Sequence, residues 1–254
     1  MNSAKKLIEL YSNKSKHSNY QVLPKKLRDI IQPDDIQTKT RYEEERLEYA
    51  KKKINFSDKS VLDIGANTGF FSFEVLDLGA AHVDYCEGNS EHAAFVETAV
   101  KALSLESRIT VTNKYYNFDD IDEKKYDIVL LFNVLHHIGD DYGDKSLAVQ
   151  EAKQKIAVHL NNMSSVCNEM IFQLGFNWQG DVAKPLFEKG TKEEQIEFVK
   201  NSTSDNWNVA SIGIAVKENG NVMYRDVDDS NIERDDSLGE FLNRPIFILR
   251  SKTR

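Results

Sequence analysis

The chain has 254 residues, two cysteines and a formal net charge of −8, from 33 Lys+Arg and 41 Asp+Glu. A chain of this length can bury a large core, and its acidic balance argues against a generally basic nucleic-acid binder. Cys86 and Cys167 are far apart and lack CxxC spacing, which excludes a disulfide framework and a thiolate zinc site. We therefore expect a cytoplasmic protein, and no stretch approaches the ~18 apolar residues of a membrane span.

The leading segment differs from the rest of the chain in charge and pattern. Residues 1–60 carry 14 Lys+Arg against 9 Asp+Glu, which suits either an anionic ligand or a solvated helical surface. Pro24 and Pro33 divide residues 1–40 into short pieces, and RYEEERLEYAKKKI then shows helical spacing. Residues 1–55 are therefore predicted to form a helical segment or lid.

From Ser60 onward, short apolar runs alternate with helical segments. The runs VLDIG, HVDYCE, RITVTN, YDIVLLFN, EMIFQLG, WNVASIGIAV and RPIFILRS have strand length, and a helix is expected to extend to about Leu160. Most of the runs are continuously apolar, as in parallel strands covered on both faces. The pattern predicts a doubly wound α/β domain over residues 56–254, with a seven-stranded, mostly parallel sheet and helices on both faces. Residues 176–206, which include an aromatic irregular stretch, are predicted to form a cap after the fifth strand.

The first of these strands leads into a glycine-bearing turn, Gly65-Ala66-Asn67-Thr68-Gly69. Glycine permits positive φ and lets a ligand approach the backbone closely. The spacing is not GxGxxG, so an NAD-dependent oxidoreductase is disfavoured. Asn67 is expected in a left-handed conformation, which asparagine tolerates better than most residues.

The second strand ends at Glu87, 24 residues after Asp63. This is about the spacing at which such folds place a carboxylate that accepts both ribose hydroxyls. The alternative is a surface glutamate beside a structural turn. Two features at compatible spacing favour the ribose carboxylate.

Together these features resemble the S-adenosylmethionine-dependent methyltransferases of Rossmann-like fold. The matching segments are VLDIGANTGFFSF, the acid in CEGN, YNFDD and YDIVLLFNVLHHI, over roughly residues 60–175. The family usually has glycine where this chain has Asn67. The resemblance implies S-adenosylmethionine as cofactor and S-adenosylhomocysteine as product.

In this family the glycine turn lies against the methionine part of the cofactor, and the acid after the second strand binds the ribose. Part of YNFDD would then lie near the adenine, and the end of the fourth strand would contact the amino-acid moiety. The implied cofactor-binding set is Tyr20, Arg41, Asp63, Gly65, Asn67, Gly69, Glu87, Gly88, Asn117, Phe118 and Asn133.

A finer resemblance concerns methyltransferases that modify bacterial surface polysaccharides, including those that methylate a terminal phosphate. It depends on GFFSFEVLDLGA, NVLHHI, the strand IFQLG before an aromatic stretch, and RPIFILRS. Such enzymes have a leading segment whose Tyr and Arg close over cofactor and acceptor, and Tyr20 and Arg41 are the counterparts here. An ordinary salt bridge with the neighbouring glutamates is the alternative for Arg41.

Two histidines, His136 and His137, follow the fourth strand, where the resemblance places the methyl group. Histidine can take a proton near neutrality, so both are candidate catalytic residues. Both could instead be structural. Adjacent residues point in different directions, so we do not expect them to bind one metal together. The acidic run RDVDDSNIERDDSLGE lacks EF-hand spacing and is predicted to be a solvated loop, so no metal site is expected.

Three further residues are predicted to bind the acceptor. Gln173 could hydrogen-bond a hydroxyl or cap backbone groups, and Trp178 could stack on a sugar or base or fill the core. Arg244, like Arg41, could make bidentate contacts to a phosphate. A phosphate oxygen is already anionic at neutral pH and requires no base.

These observations predict an O-methyltransferase that acts on a hydroxyl or phosphate of a sugar or surface-polysaccharide intermediate. The expected partner is therefore a small-molecule or glycan substrate. The first alternative is an RNA (tRNA) methyltransferase that docks through basic residues 1–60. The second is a catalytically inactive cofactor-binding partner subunit.

Overall fold

The computed structural model describes residues 3–13, 18–121 and 123–253. The chain forms two compact units, one containing the residues up to Leu47 together with Asn55–Tyr116, and the other Glu48–Ile54 together with Asn117–Arg254. No helix in the described part is long and apolar enough to cross a membrane.

The helices of the described residues are α1 (Ser3–Ser12), α2 (Lys25–Arg28), α3 (Glu43–Ala50), α4 (Phe70–Asp77), α5 (Ser90–Ala102), α6 (Val149–Asn162), α7 (Lys192–Thr203) and α8 (Gly239–Leu242). The strands are β1 (Ser60–Ile64), β2 (His82–Glu87), β3 (Ile109–Asn113), β4 (Tyr126–Phe132), β5 (Cys167–Gln173), β6 (Trp207–Glu218), β7 (Asn221–Asp226) and β8 (Ile246–Ser251). Short 3₁₀ turns lie at Pro33–Asp35, Leu135–His137, Met163–Ser165, Trp178–Gly180 and Asp236–Leu238.

The first unit contains three parallel strands in the order β3-β2-β1. The central residues of β1 and β2 are buried, as the continuously apolar sequence runs predict. Helix α1 packs on α5, where the Tyr11 ring meets the Phe95 ring edge-on at 5.7 Å. The leading segment therefore contributes to the core of this unit, with Leu7 and Tyr11 buried.

The second unit has five strands in the order β4-β5-β8-β6-β7. Strands β4 and β5 are parallel, whereas the pairs β5/β8, β8/β6 and β6/β7 are antiparallel. Residues 48–54 belong to this unit: the Tyr49 hydroxyl donates to Asp226 at 2.8 Å, and a Cβ on Gly213 would lie 2.6 Å from the Tyr49 ring.

The described residues contain eight strands, so the prediction of a seven-stranded sheet was wrong. The extra strand, β7, lies between the predicted strands WNVASIGIAV and RPIFILRS, and its end overlaps the acidic run that was predicted to be a solvated loop. Asn219 and Gly220 have φ of 50° and 85°, which makes the two-residue turn that joins antiparallel strands most readily. The α/β class is confirmed, but antiparallel pairing extends through much of the second unit.

The chain between β4 and α6 also differs from the prediction. Instead of one helix extending to Leu160, a 3₁₀ turn at Leu135–His137 is followed by an irregular loop, and α6 begins only at Val149. Gly139 and Gly143 have φ of 80° and 74°, a conformation that interrupts a helix. This loop holds the predicted catalytic histidines.

Candidate functional site

The turn between β1 and α4 has a left-handed backbone at three positions. Gly65, Asn67 and Gly69 have φ of 66°, 52° and 80°, so the expected conformation of Asn67 is confirmed. A Cβ on Gly69 would lie 2.9 Å from the Val96 side chain. Glycine is thus required at position 69 by both conformation and space.

The Glu87 carboxylate is fixed by this turn and by the start of α5. Its two oxygens accept hydrogen bonds from the backbone N–H of Asn67 at 2.8 Å and of Asn89 at 2.7 Å. The Tyr85 hydroxyl donates to the Asn67 carbonyl at 2.6 Å, and the Asn67 side chain accepts from the Thr68 N–H. A carboxylate accepts more than two hydrogen bonds, so this geometry suits a ligand with a pair of hydroxyls.

Asp63 lies in the interior beside this turn. It is 2% exposed and accepts a 2.7 Å hydrogen bond from the Ser72 hydroxyl. Burial raises the pKa of Asp63 to about 7, the Ser72 hydrogen bond opposes the rise, and the Glu87 charge adds to it. Asp63 therefore connects β1 to α4 through its hydrogen bond with Ser72.

Gly88 lies directly beneath an aromatic ring. A Cβ at this position would lie only 2.2 Å from the Tyr115 ring, so a larger residue would displace that ring. Tyr115 itself is 51% exposed. The sequence analysis did not select Tyr115, because nothing in the sequence indicates that its ring covers Gly88.

The leading segment reaches the glycine turn through Gln21, which the sequence analysis also missed. Gln21 Oε1 accepts from the Thr68 hydroxyl at 3.3 Å and from the Phe70 N–H at 3.1 Å. The predicted residues Tyr20 and Arg41 lie together, with the guanidinium carbon 4.6 Å from the ring centroid. All of these contacts are within the first unit.

In the second unit, the two adjacent histidines have different environments. His136 is buried, and its Nδ1 accepts from the Gly175 N–H at 3.3 Å, so a neutral His136 ring carries its proton on Nε2. His137 is half-buried, and its Nδ1 lies 3.6 Å from both the Asp140 and Asp141 carboxylates. His137 is thus the better placed of the two to exchange protons.

The ligand atoms of His137, Asp140 and Asp141 all lie within 4.8 Å of one another. An imidazole nitrogen and two carboxylate oxygens form a donor set that divalent cations use. These two aspartates were not predicted from the sequence, where the histidine pair and the acidic run RDVDDSNIERDDSLGE were the candidate metal ligands.

Three of the predicted residues form a polar cluster, which we call the Asn133–Gln173–Arg244 cluster. Asn133 donates to Gln173 Oε1 at 2.9 Å and accepts from Arg244 at 2.8 Å, while Gln173 donates to the Arg244 carbonyl at 2.9 Å. The guanidinium also pairs with Glu240 through two nitrogens. Gln173 is fully buried, and 13% of the Arg244 side chain is exposed.

The remaining predicted residues of the second unit lie elsewhere. Trp178 is 5% exposed, and its indole N–H donates to the Ile138 carbonyl at 2.6 Å, so it anchors the loop after β4. Phe118 is buried against His159, with ring centroids 5.3 Å apart. Asn117 is exposed, and its side-chain oxygen accepts from the Asp119 N–H at 3.1 Å.

Residues 62–160, which extend from β1 into α6, match a family model described as a methyltransferase domain. The chain therefore contains a methyltransferase domain. No curated protein matches this chain at a significant level.

Solved structures share the fold of this chain at low sequence identity. The "putative RNA methyltransferase PH1948" of Pyrococcus horikoshii is 14% identical, with a TM-score of 0.52 and 99% of each chain covered. WbdD, solved with the kinase inhibitor LY294002, is 13% identical, with a TM-score of 0.61 over 96% of this chain and 47% of that one. The chain thus spans less than half the length of WbdD.

Proposed function

We propose that the first unit binds S-adenosylmethionine at the turn Gly65–Gly69 and at Glu87, and that the enzyme methylates an oxygen acceptor. The observation that supports this most strongly is the fixed Glu87 carboxylate, held by the Asn67 and Asn89 N–H groups. Two neighbouring ribose hydroxyls can each donate to one carboxylate oxygen. Gly65, which is exposed and has no Cβ, leaves the backbone open to a ligand at the start of this turn.

The remaining cofactor-binding residues are proposed from the resemblance. Asp63 is buried under its Ser72 hydrogen bond, so we assign it an indirect role as a support for the turn. Phe118 is also buried, which leaves its backbone and the exposed neighbour Asn117 as the groups for a ligand contact. The rest of the set is proposed unchanged, namely Tyr20, Arg41, Gly65, Asn67, Gly69, Glu87, Gly88 and Asn133.

When bound, S-adenosylmethionine supplies a sulfonium methyl group that passes to an acceptor oxygen as the carbon–sulfur bond breaks. The protein mainly has to hold the acceptor in line and, for a hydroxyl, remove its proton. We propose His137 as the base. The Asp140 and Asp141 carboxylates, each 3.6 Å from its Nδ1, would stabilise the imidazolium that forms. His136, whose Nδ1 accepts the Gly175 N–H, is proposed as a support for this loop.

The proposed acceptor is a hydroxyl or phosphate of a sugar or surface-polysaccharide intermediate. This proposal rests on the resemblance of short motifs and on the chemistry of the Asn133–Gln173–Arg244 cluster. Amides and a guanidinium, which bond one another in this cluster, are the kinds of groups that can bind hydroxyl and phosphate oxygens. Trp178 donates its indole N–H within the loop after β4, so we propose that it shapes this region.

RNA is the second candidate acceptor. The basic excess of residues 1–60 favours it, and PH1948 carries an RNA methyltransferase name. Binding through phosphates would weaken steeply as salt concentration rises. A partner subunit without catalysis is the third candidate, and it predicts cofactor binding without transfer to any acceptor.

The test is to incubate the purified protein with methyl-labelled S-adenosylmethionine and separated RNA, glycan-lipid and small-molecule fractions of the source cell. We expect label in the glycan or small-molecule fraction. Label confined to the RNA fraction would show that the acceptor is RNA and not a glycan or small molecule. Binding of S-adenosylhomocysteine without label in any fraction would support the inactive subunit. Glu87→Ala should abolish labelling, with Glu97→Ala, an exposed glutamate of α5, as the matched control.

A further inference from the structure

Gln21 occupies a position that a helix cap normally fills. Helix α4 begins after Gly69, which has no side chain to accept the first-turn N–H groups. The structure instead brings in Gln21 from 49 positions earlier in the chain, and its Oε1 accepts the Phe70 N–H. Gln21 is only 8% exposed, so this hydrogen bond is shielded from water.

The same Gln21 is tied to the rest of the leading segment. The backbone carbonyl of Gln21 accepts a 2.6 Å hydrogen bond from the Tyr11 hydroxyl. The Tyr11 hydroxyl also lies 2.9 Å from the Thr38 hydroxyl. The Lys39 N–H donates to the Asn19 carbonyl at 2.7 Å. These contacts fold residues 18–41, which we call the strap, around Gln21.

A chain of hydrogen bonds leads from the strap to the carboxylate proposed to bind ribose. Gln21 Oε1 accepts from the Thr68 hydroxyl, the Thr68 N–H donates to the Asn67 side chain, and the Asn67 N–H donates to Glu87. The three bonds measure 3.3, 2.8 and 2.8 Å. All four residues lie in the first unit.

We infer that Gln21 is a positioning residue that couples docking of the strap to the shape of the cofactor turn. This inference rests on the proposed cofactor site. A docked strap holds the turn in the form that binds the cofactor, and a bound cofactor holds the turn in the form to which the strap docks. Because such coupling is reciprocal, each event must stabilise the other.

The experiment compares three variants by calorimetric titration with S-adenosylhomocysteine and by hydrogen exchange of residues 18–41 and 65–72. Gln21→Leu removes the hydrogen-bond acceptor Oε1 and leaves a side chain of similar size. Gln21→Glu keeps an oxygen acceptor at that position. Gln32→Leu makes the same change at an exposed position of the strap. We expect Gln21→Leu to weaken binding about tenfold, on the order of one lost hydrogen bond, and to remove the ligand-induced protection of the strap. Gln21→Glu and Gln32→Leu should stay within about threefold of wild type.

A lower melting temperature of Gln21→Leu with unchanged affinity would reduce Gln21 to a structural residue and overturn the inference. If Gln21→Leu fails to fold, hydrogen exchange of the wild-type protein tests the inference instead. Absence of ligand-induced protection in the strap would also overturn it. Failure of the cofactor site itself is separate. In that case Glu87→Ala would leave the affinity for S-adenosylhomocysteine unchanged.

Discussion

The glycine turn of the first unit and the Asn133–Gln173–Arg244 cluster of the second unit hold their polar groups in different ways. The turn is built from backbone groups, and Glu87 is fixed by two N–H donors. The cluster is joined mostly by side chains, with Arg244 shared between Asn133 and Glu240. Backbone groups in the turn offer one arrangement once the strap is docked, whereas side chains can exchange partners. The turn therefore suits a ligand held in one orientation, and the cluster suits an acceptor that can be held in more than one.

The largest expected effect concerns His137. A general base contributes typically 10²–10⁴-fold, so His137→Gln should lower kcat by about that factor with a hydroxyl acceptor. The affinity for S-adenosylhomocysteine should stay within about twofold by titration calorimetry. His82→Gln, a partly exposed histidine of the first unit, serves as the control. A loss of less than about tenfold would point to a phosphate acceptor, which needs no base.

The next effect concerns Glu87. Glu87→Ala removes the carboxylate and leaves the Asn67 and Asn89 N–H groups without that acceptor. The loss of two charge-assisted hydrogen bonds to a ligand should weaken S-adenosylhomocysteine binding about 100-fold. The measurement is titration calorimetry at constant pH. Unchanged affinity would mean that Glu87 and the turn do not bind a ligand of this kind.

A stability effect is expected at Asp63, whose pKa burial raises to about 7 from the ordinary value of 3.8. The native state holds the proton more tightly than the unfolded chain. The associated stability is therefore fully present below the unfolded pKa and is lost as pH rises towards the folded one. Asp63→Asn does not titrate, so its stability relative to wild type should rise by about 2 kcal/mol between pH 5 and pH 7. Urea unfolding at both pH values measures this, and a constant difference would contradict it.

A smaller effect, on KM for the acceptor, is expected at Arg244 and should distinguish the Asn133–Gln173–Arg244 cluster from the glycine turn. Lysine cannot reproduce the paired contacts of Arg244 with Glu240 and Asn133. Arg244→Lys should therefore raise KM for the acceptor about tenfold. The affinity for S-adenosylhomocysteine should stay within about threefold, because Arg244 reaches the proposed cofactor-binding set only through Asn133. Arg250→Lys, an exposed arginine paired with Glu169, is the matched control. An equal loss of cofactor affinity would remove the distinction between the two regions.

The smallest effect is expected at Asn67. Its left-handed φ of 52° suits glycine, but its side chain also accepts the Thr68 N–H at 2.8 Å. In Asn67→Gly the relief of backbone strain and the loss of this bond oppose each other. We expect a change below about 1 kcal/mol in unfolding free energy. The affinity for S-adenosylhomocysteine should fall by no more than the roughly tenfold loss expected for Gln21→Leu, because the Asn67 side chain is one link between Gln21 and Glu87. A larger loss of affinity would mean that the Asn67 side chain itself contacts the ligand.

The sequence predicted the left-handed turn and the position of Glu87 at the end of β2, because backbone conformation and strand ends leave local sequence patterns. It did not predict Gln21, because a cap that arrives from 49 positions away leaves no local pattern. Strand β7 was missed although the Asn219-Gly220 pair is itself a hairpin signal, because the surrounding acids favoured a loop. The partners of Arg244 depend on packing between distant segments and could not be inferred from spacing.

The division of α3 between the two units has a consequence for synthesis. The part of α3 up to Leu47 belongs to the first unit, and residues 48–54 belong to the second unit. Tyr49 hydrogen-bonds Asp226, 177 positions later, and Lys53 bonds the same carboxylate. On the ribosome, residues 48–54 therefore emerge long before their partners, and these contacts form only after residue 226 has emerged. A recombinant fragment that starts at residue 117 would lack part of its own unit.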